Sequence, residues 1–269
     1  MSRKLVITST FSGGACDASM VLNLLQISEN DFRRLDFVTG LCFTVNGKEE
    51  QIENVVRMFL PGFPGKEKIL VVNETTKGRG PCFIAGIRNA LEMIGDDESA
   101  VIITADLCGK APHDPRLFRQ YLEILKDNPD RAIVGSTLYD SSTIDDGEMR
   151  TMGYYQWIKF GAVGDPFNIQ SPALIIGSAT FFKEALRLYD VYVDNYSNYT
   201  TEPWPGPGVP GLILCLLSFV GAKLYGVTLP VFGEWRPSRT WEQLIPHMKA
   251  TILHAEVAEA MEKDGLFDF

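Results

Sequence analysis

The sequence is short of the residues that build most metal and disulfide centres. Its 269 residues hold three histidines and five cysteines (Cys16, Cys42, Cys82, Cys108 and Cys215), scattered, odd in number and without a CxxC pair. That pattern suits reduced, mostly core thiols in a cytoplasmic protein. A basic excess is also missing. The net charge of -9 argues against a nucleic-acid binder, which needs cations to displace the counterions of the phosphate backbone. No hydrophobic run reaches the roughly 20 residues of a membrane span; the longest, Val209 to Val220, reads as a buried helix. The apolar LVIT near the start is too short for a signal peptide.

What the chain does have is alternation. Strand-length apolar, β-branched runs occur at Leu5–Phe11, Phe37–Val45, Lys68–Asn73, Ala100–Thr104 and Arg131–Thr137. They are too continuous for strands with one wet face. Between them the apolar residues fall at helical spacing: Ala18, Val21, Leu22 and Leu25; Ile52, Val55, Val56 and Phe59; Phe83, Ile87, Ala90, Leu91 and Ile94; Leu117, Tyr121, Ile124 and Leu125. Gly95 is placed to end the third of these helices, and Asp114-Pro115 to start the fourth. Repeated strand–helix–strand units predict right-handed crossovers and a mostly parallel, Rossmann-like sheet flanked by helices.

After about Asp140 the rhythm changes. A long loop with one helix around Tyr154–Phe160 is expected, then a strand at Ala173–Thr180 and a helix at Phe182–Tyr189. A second aromatic loop from Tyr192 to Pro207 precedes the helix from Val209, the strand Lys223–Val231 and a final helix from Thr240 to Lys263. The chain divides in this reading into residues 1–139 and 140–269 of one domain, with no linker and no repeat between them.

The stretch KILVVNETTKGRGPCFIAGIRNALE, followed by AVIITADLCGKAPHDPRLF, carries the chemistry. A strand ends at Asn73, and a loop with Gly78 and Gly80 opens onto a helix. Glycines let backbone amides approach an anion, and the helix start adds partial positive charge. Lys77 and Arg79 are cations suited to phosphate. The next strand ends in Thr104-Ala105-Asp106, at the strand edge where open α/β sheets take ligands. A carboxylate there is a candidate ligand for a hard divalent cation on a diphosphate.

The order of glycine-rich cationic loop, AGIRNAL helix and strand ending in xADL resembles GT-A glycosyltransferases of the dolichyl-phosphate-mannose-synthase-like and mannosylglycerate-synthase-like groups. The close likeness covers Lys68 to Pro115. It implies a nucleotide-diphosphate-sugar donor and Mg²⁺ or Mn²⁺ held by Asp106, with Thr104 at the other end of the metal motif. It further implies a donor pocket lined by Thr8, Ser9, Asn46, Lys77, Arg79 and Gly80, and a small polar or glycan acceptor in the second half. IIGSATFFKEAL around Gly177-Ser178 resembles the family's acceptor-side segment.

The departures bear on catalysis. The family's Asp-x-Asp reads Thr104-Ala105-Asp106, and Asn46 stands where acidic pairs often contact the base. Pro210 occupies the helix entrance where inverting members place a carboxylate, which makes Glu202 the nearest acid. FGEWRPSRTW has no histidine where mannosylglycerate-synthase-like members complete the metal site; Glu234 is the candidate catalytic or ligand carboxylate there, and Arg236 a phosphate contact. Trp204 and Trp235 have no periodic role and suit stacking on a sugar ring. His247 lies on the final helix, where a packing role is commoner than ligation. A weakly catalytic nucleotide-sugar binder is the alternative. A sugar-phosphate nucleotidyltransferase is disfavoured, because FSGGACDAS lacks that class's arginine and Pro-Lys. The C-terminal helix is a candidate surface for pairing with a second copy.

Overall fold

The computed structural model describes residues 5–12, 38–46, 69–73, 79–105, 115–137, 161–165, 174–204, 206–229 and 241–268. The helices expected near Ala18–Leu25, Ile52–Phe59 and Tyr154–Phe160 lie outside them. Two compact units divide the chain. The first comprises Met1–Pro129 with Ala173–Thr180, the second Asp130–Pro172 with Phe181–Phe269.

In the first unit, β1 (Leu5–Ser12), β2 (Val38–Asn46), β3 (Ile69–Asn73) and β4 (Val101–Ala105) pair in parallel in the order β3-β2-β1-β4. The strand that follows residue 173, labelled β7 (Leu174–Ser178), lies antiparallel on β4. The expected runs are found within a residue or so at each end. Continuous burial explains their composition: Val101, Ile102, Ile103, Leu174, Ile175 and Ile176 are all buried.

Helix α1 (Arg79–Ile94) packs on β1 and β2. Gly95 ends it at φ 66°, a left-handed conformation that glycine enters without a Cβ penalty. Its buried side runs through Cys82, Gly86, Ile87, Ala90 and Ile94, while Phe83 and Leu91 are only partly covered. The helix is therefore turned toward its small residues, and that lets it approach the sheet closely. Helix α2 (Pro115–Asp127) begins at the expected proline and buries Tyr121 and Leu125.

In the second unit, β5 (Arg131–Thr137) and the two-residue β6 (Val163–Gly164) both pair in parallel with β8 (Lys223–Leu229). Lys223 and Asp130 form an ion pair at 2.7 Å, and the Arg131 guanidinium lies 4.9 Å above the Tyr225 ring. Helix α4 (Val209–Phe219) is buried from Val209 through Leu217, as its apolar sequence predicts, and packs against α5 (Trp241–Lys263).

Helix α3 (Ala179–Tyr199) is a correction to the sequence reading. The helix expected to stop at Tyr189 continues through the tyrosine-rich segment assigned to a loop. Tyr189, Tyr192, Tyr196 and Tyr199 fall at intervals of three and four, one helical face, and tertiary packing on that face outweighs the modest helix propensity of its Asn, Asp and Ser residues. Only residues 200–208 remain as the connection to α4.

Candidate functional site

The chain runs β1, β2, β3 toward one side of the first sheet and then returns to place β4 on the other side of β1. That reversal makes a topological switch point between β1 and β4, where open α/β sheets bind ligands outside their carboxyl ends. The register puts Ser9 opposite Ala105, the last residue of β4, and β1 continues past it to Ser12, which pairs with Asn46. Asn73 ends β3 opposite Val45. The carboxyl ends of four parallel strands thus line one edge. Helix α1, the next described element after β3, starts with Arg79 and a buried Gly80.

Of the residues assigned from sequence, Ser9 and Asn46 lie on this edge, and Arg79 and Gly80 open α1. Asp106 directly follows β4 in the chain. Lys77, Asp106, Glu234 and Arg236 lie outside the described residues. Among the described residues no three His, Cys, Asp or Glu side chains come together as a metal site.

Thr8 and Thr104 are paired across β1 and β4, and each is 3% exposed. Thr104 Oγ1 points inward to the Ile175 carbonyl at 3.5 Å, a long contact. Thr8 lies beneath α1. A Cβ built on Gly86 would come within 2.5 Å of Thr8 Oγ1 and 3.1 Å of Thr44 Oγ1. Neither hydroxyl has an oxygen or nitrogen partner among the described residues. Beside both lies the Cys42 thiol, a weak hydrogen-bonding group. Burial pushes that thiol up to about 11, against a smaller opposing pull from Thr44 and Thr8. Thr8 and Thr44 thus lie directly under α1 at Gly86, and the strand ends lie beyond them.

In the second unit Glu202 is exposed, two residues before Trp204. Trp204 is 37% exposed, and its ring meets Tyr189, Tyr192, Tyr196 and His254 edge-on, with centroids 5.1 to 6.3 Å apart. His254, fully buried, shares a 2.9 Å hydrogen bond between its Nδ1 and Tyr192 Oη, with the donor set by the ring tautomer. Burial raises the Tyr192 phenol well above its ordinary value, so it keeps its proton. Among the described residues the buried histidine of the final helix is His254, not the His247 considered from sequence. The signal was present in Ala250, His254, Ala258 and Met261, a buried stripe at helical spacing with one polar member.

No family model matches the chain, and no curated protein matches it. Solved structures do. Glucosyl-3-phosphoglycerate synthase from Mycobacterium tuberculosis, in complex with UDP, superposes with a TM-score of 0.55 at 12% identity, covering 96% of this chain and 80% of that one. Mannosyl-3-phosphoglycerate synthase from Rubrobacter xylanophilus gives 0.54 at 11% identity, with 97% and 75% covered. A 4-diphosphocytidyl-2C-methyl-D-erythritol synthase gives 0.50 at 10% identity, with 93% and 99% covered. At such identities the likeness concerns the fold. The switch point, the helix entering behind β3 and these superpositions agree: the chain has the α/β fold of the GT-A nucleotide-sugar glycosyltransferases.

Proposed function

We propose that the protein is a nucleotide-sugar-dependent glycosyltransferase that takes its donor at the carboxyl edge between β1 and β4. The observation that carries this reading is the switch point itself, with α1 packed on β1 and β2. The superposition on a synthase solved with UDP supports the same ligand class.

In this reading Ser9 and Asn46 flank the nucleoside, while Gly80 and the first turn of α1 meet the diphosphate. Lys77 and Arg79 neutralise the charge that grows on the diphosphate as the anomeric carbon–oxygen bond breaks. An acceptor hydroxyl oxygen forms the new bond to that carbon and gives up its proton to a carboxylate, for which Glu202 and Glu234 are the candidates. A divalent ion on Asp106 would supply further compensation of phosphate charge. Thr8 and Thr104 contribute through the strands they hold, and Arg236 adds a second phosphate contact. Trp204 serves the acceptor side.

The test is thermal unfolding with UDP, GDP, UDP-glucose and GDP-mannose, each with and without Mn²⁺, beside release of nucleoside diphosphate. A ligand at a hundred times its Kd stabilises by ~2.7 kcal/mol. The expected result is a shift from at least one of them that Asp106→Ala reduces. No shift from any of the four overturns the reading. One donor binding without turnover leaves a nucleotide-sugar-binding protein. A nucleotidyltransferase is favoured by one superposition; it would release pyrophosphate from a nucleoside triphosphate and a sugar phosphate, a product that separates the two chemistries.

A further inference from the structure

Residues 200–208 touch two helices, α3 directly before them and α5 near the end of the chain. Tyr196 Oη donates to the Pro203 carbonyl at 3.4 Å, and Glu202 N–H donates to Thr200 Oγ1 at 3.1 Å. The Trp204 ring rests on the tyrosine face of α3 and, at 5.1 Å between centroids, on His254 of α5. Gly208 then passes so close to α5 that a Cβ there would meet His254 Cδ2 at 2.5 Å and the Ala250 carbonyl carbon at 2.9 Å. A fully buried histidine bonded to a fully buried tyrosine, under a tryptophan that is one-third exposed, is an uncommon use of polar groups. Such a pair specifies one arrangement, because any other leaves a buried polar atom unsatisfied.

We propose that Trp204 is a latch, and that the Tyr192–His254 pair is the seat which holds it and so fixes Glu202 in place. Tyr192 and His254 act as positioning residues: neither is exposed to reach a substrate, and both act through Trp204 and the backbone of residues 200–204. Glu202 lies near the same cluster: after burial, its negative charge helps hold the Tyr196 phenol above its ordinary value. The claim that Trp204 is seated stands on geometry alone. The claim that seating serves Glu202 rests on the glycosyltransferase reading above.

The experiment uses full-length protein in which Trp157, Trp235 and Trp241 are changed to Phe, leaving Trp204 as the single indole. Acrylamide quenching and emission maximum are measured in this background and with Tyr192→Phe, His254→Gln or His254→Ala added. Tyr192→Phe keeps the ring volume and removes the hydroxyl, so it reports even if His254→Ala does not fold. Loss of one net hydrogen bond shifts the seated-to-free ratio about tenfold. We expect a red-shifted, more quenchable Trp204 in Tyr192→Phe, and a smaller change in His254→Gln, which can still bond Tyr192. Unchanged quenching in a folded Tyr192→Phe protein overturns the latch.

In the natural sequence, Tyr192→Phe should lower the kcat for hydrolysis of the donor that binds by about tenfold, with donor KM unchanged. Quenching that rises while kcat holds overturns the positioning of Glu202. An absence of turnover in the unmodified protein is a failure of the transferase reading, while the quenching arm still decides the latch.

Discussion

Gly86 stands on Thr8. The helix that opens at Arg79 is pressed against β1 at this point, and a methyl group on Gly86 would meet the Thr8 hydroxyl at 2.5 Å. The contact lies between the buried middle of α1 and the middle of the strand whose end forms the ligand edge. Gly86→Ala should raise helix propensity by roughly 1 kcal/mol yet lose ~1–3 kcal/mol to overpacking. The atom in the way is Oγ1, with the Thr8 Cβ farther off at 3.7 Å. Adding Thr8→Ala should therefore restore most of the loss, and Thr8→Ser, which keeps the hydroxyl, should restore little. Equilibrium urea unfolding of the three proteins measures this. Equal stability of the two double variants would remove Oγ1 as the cause.

Cys42 makes the same region sensitive to alkali. Its folded thiol is raised to about 11 from an ordinary 9.0, chiefly by burial. The folded state thus holds its proton longer than the unfolded state does. The contribution is complete below about pH 9 and is lost as pH rises to about 11, where the folded thiol also ionises. At about 1.4 kcal/mol for each pH unit between the two values, the loss is ~2–3 kcal/mol. Cys42→Ala lacks this limb. The stability gap between wild type and Cys42→Ala should narrow by about that amount from roughly pH 8 to pH 11, while Tyr192, present in both, cancels. A gap constant across this range would exclude Cys42 as the titrating group.

The strands were legible because sheets buried on both faces demand continuous apolar, β-branched runs, and Arg131–Thr137 was placed to the residue. The helix over Ala179–Tyr199 was legible only in part. Its second half is tyrosines among Asn, Asp and Ser, and that face packs against Trp204 and His254, residues that follow the helix and so add nothing to its internal period. His254 escaped for a related reason: its partner Tyr192 is 62 residues away in sequence. The proposed donor edge rests on the sequence from Gly78 to Gly80 and on the end of β4, which are local signals. Which threonines lie under α1 follows from strand alternation together with the close approach of the helix at Gly86, a residue without a side chain for hydropathy patterns to register.

Thr104 is where sequence and structure give different expectations for a substitution. By motif, Thr104→Asp would restore the first carboxylate of the metal site. In the structure the side chain is buried between β1 and β7 neighbours, with its hydroxyl toward the Ile175 carbonyl. A carboxylate there has no cationic partner among the described residues and faces an oxygen, so Thr104→Asp should cost ~3 kcal/mol or more. Thr104→Val gives up only a long hydrogen bond and should cost less than ~1 kcal/mol. Thermal unfolding and a Mn²⁺ titration check the pair. A tighter Mn²⁺ site in a protein of undiminished stability would show that the motif reading was the better one.

Gly208 gives the last prediction, because its obstacle cannot step aside. At Gly86 the crowding atom is the end of a side chain, but at Gly208 it includes the Ala250 carbonyl carbon at 2.9 Å and oxygen at 3.0 Å. Helix α5 is continuous through Ala250, so the backbone there yields only if the helix moves. Gly208→Ala should cost ~1–3 kcal/mol, or roughly 2–4 °C of melting temperature for each kcal/mol. Trimming the other contact, His254 Cδ2, should not recover it: His254→Ala in the Gly208→Ala background removes the ring and leaves the carbonyl in place. The double variant should fall below either single variant. Recovery instead would mean that the imidazole, and not the α5 backbone, sets how closely residues 206–208 approach the helix.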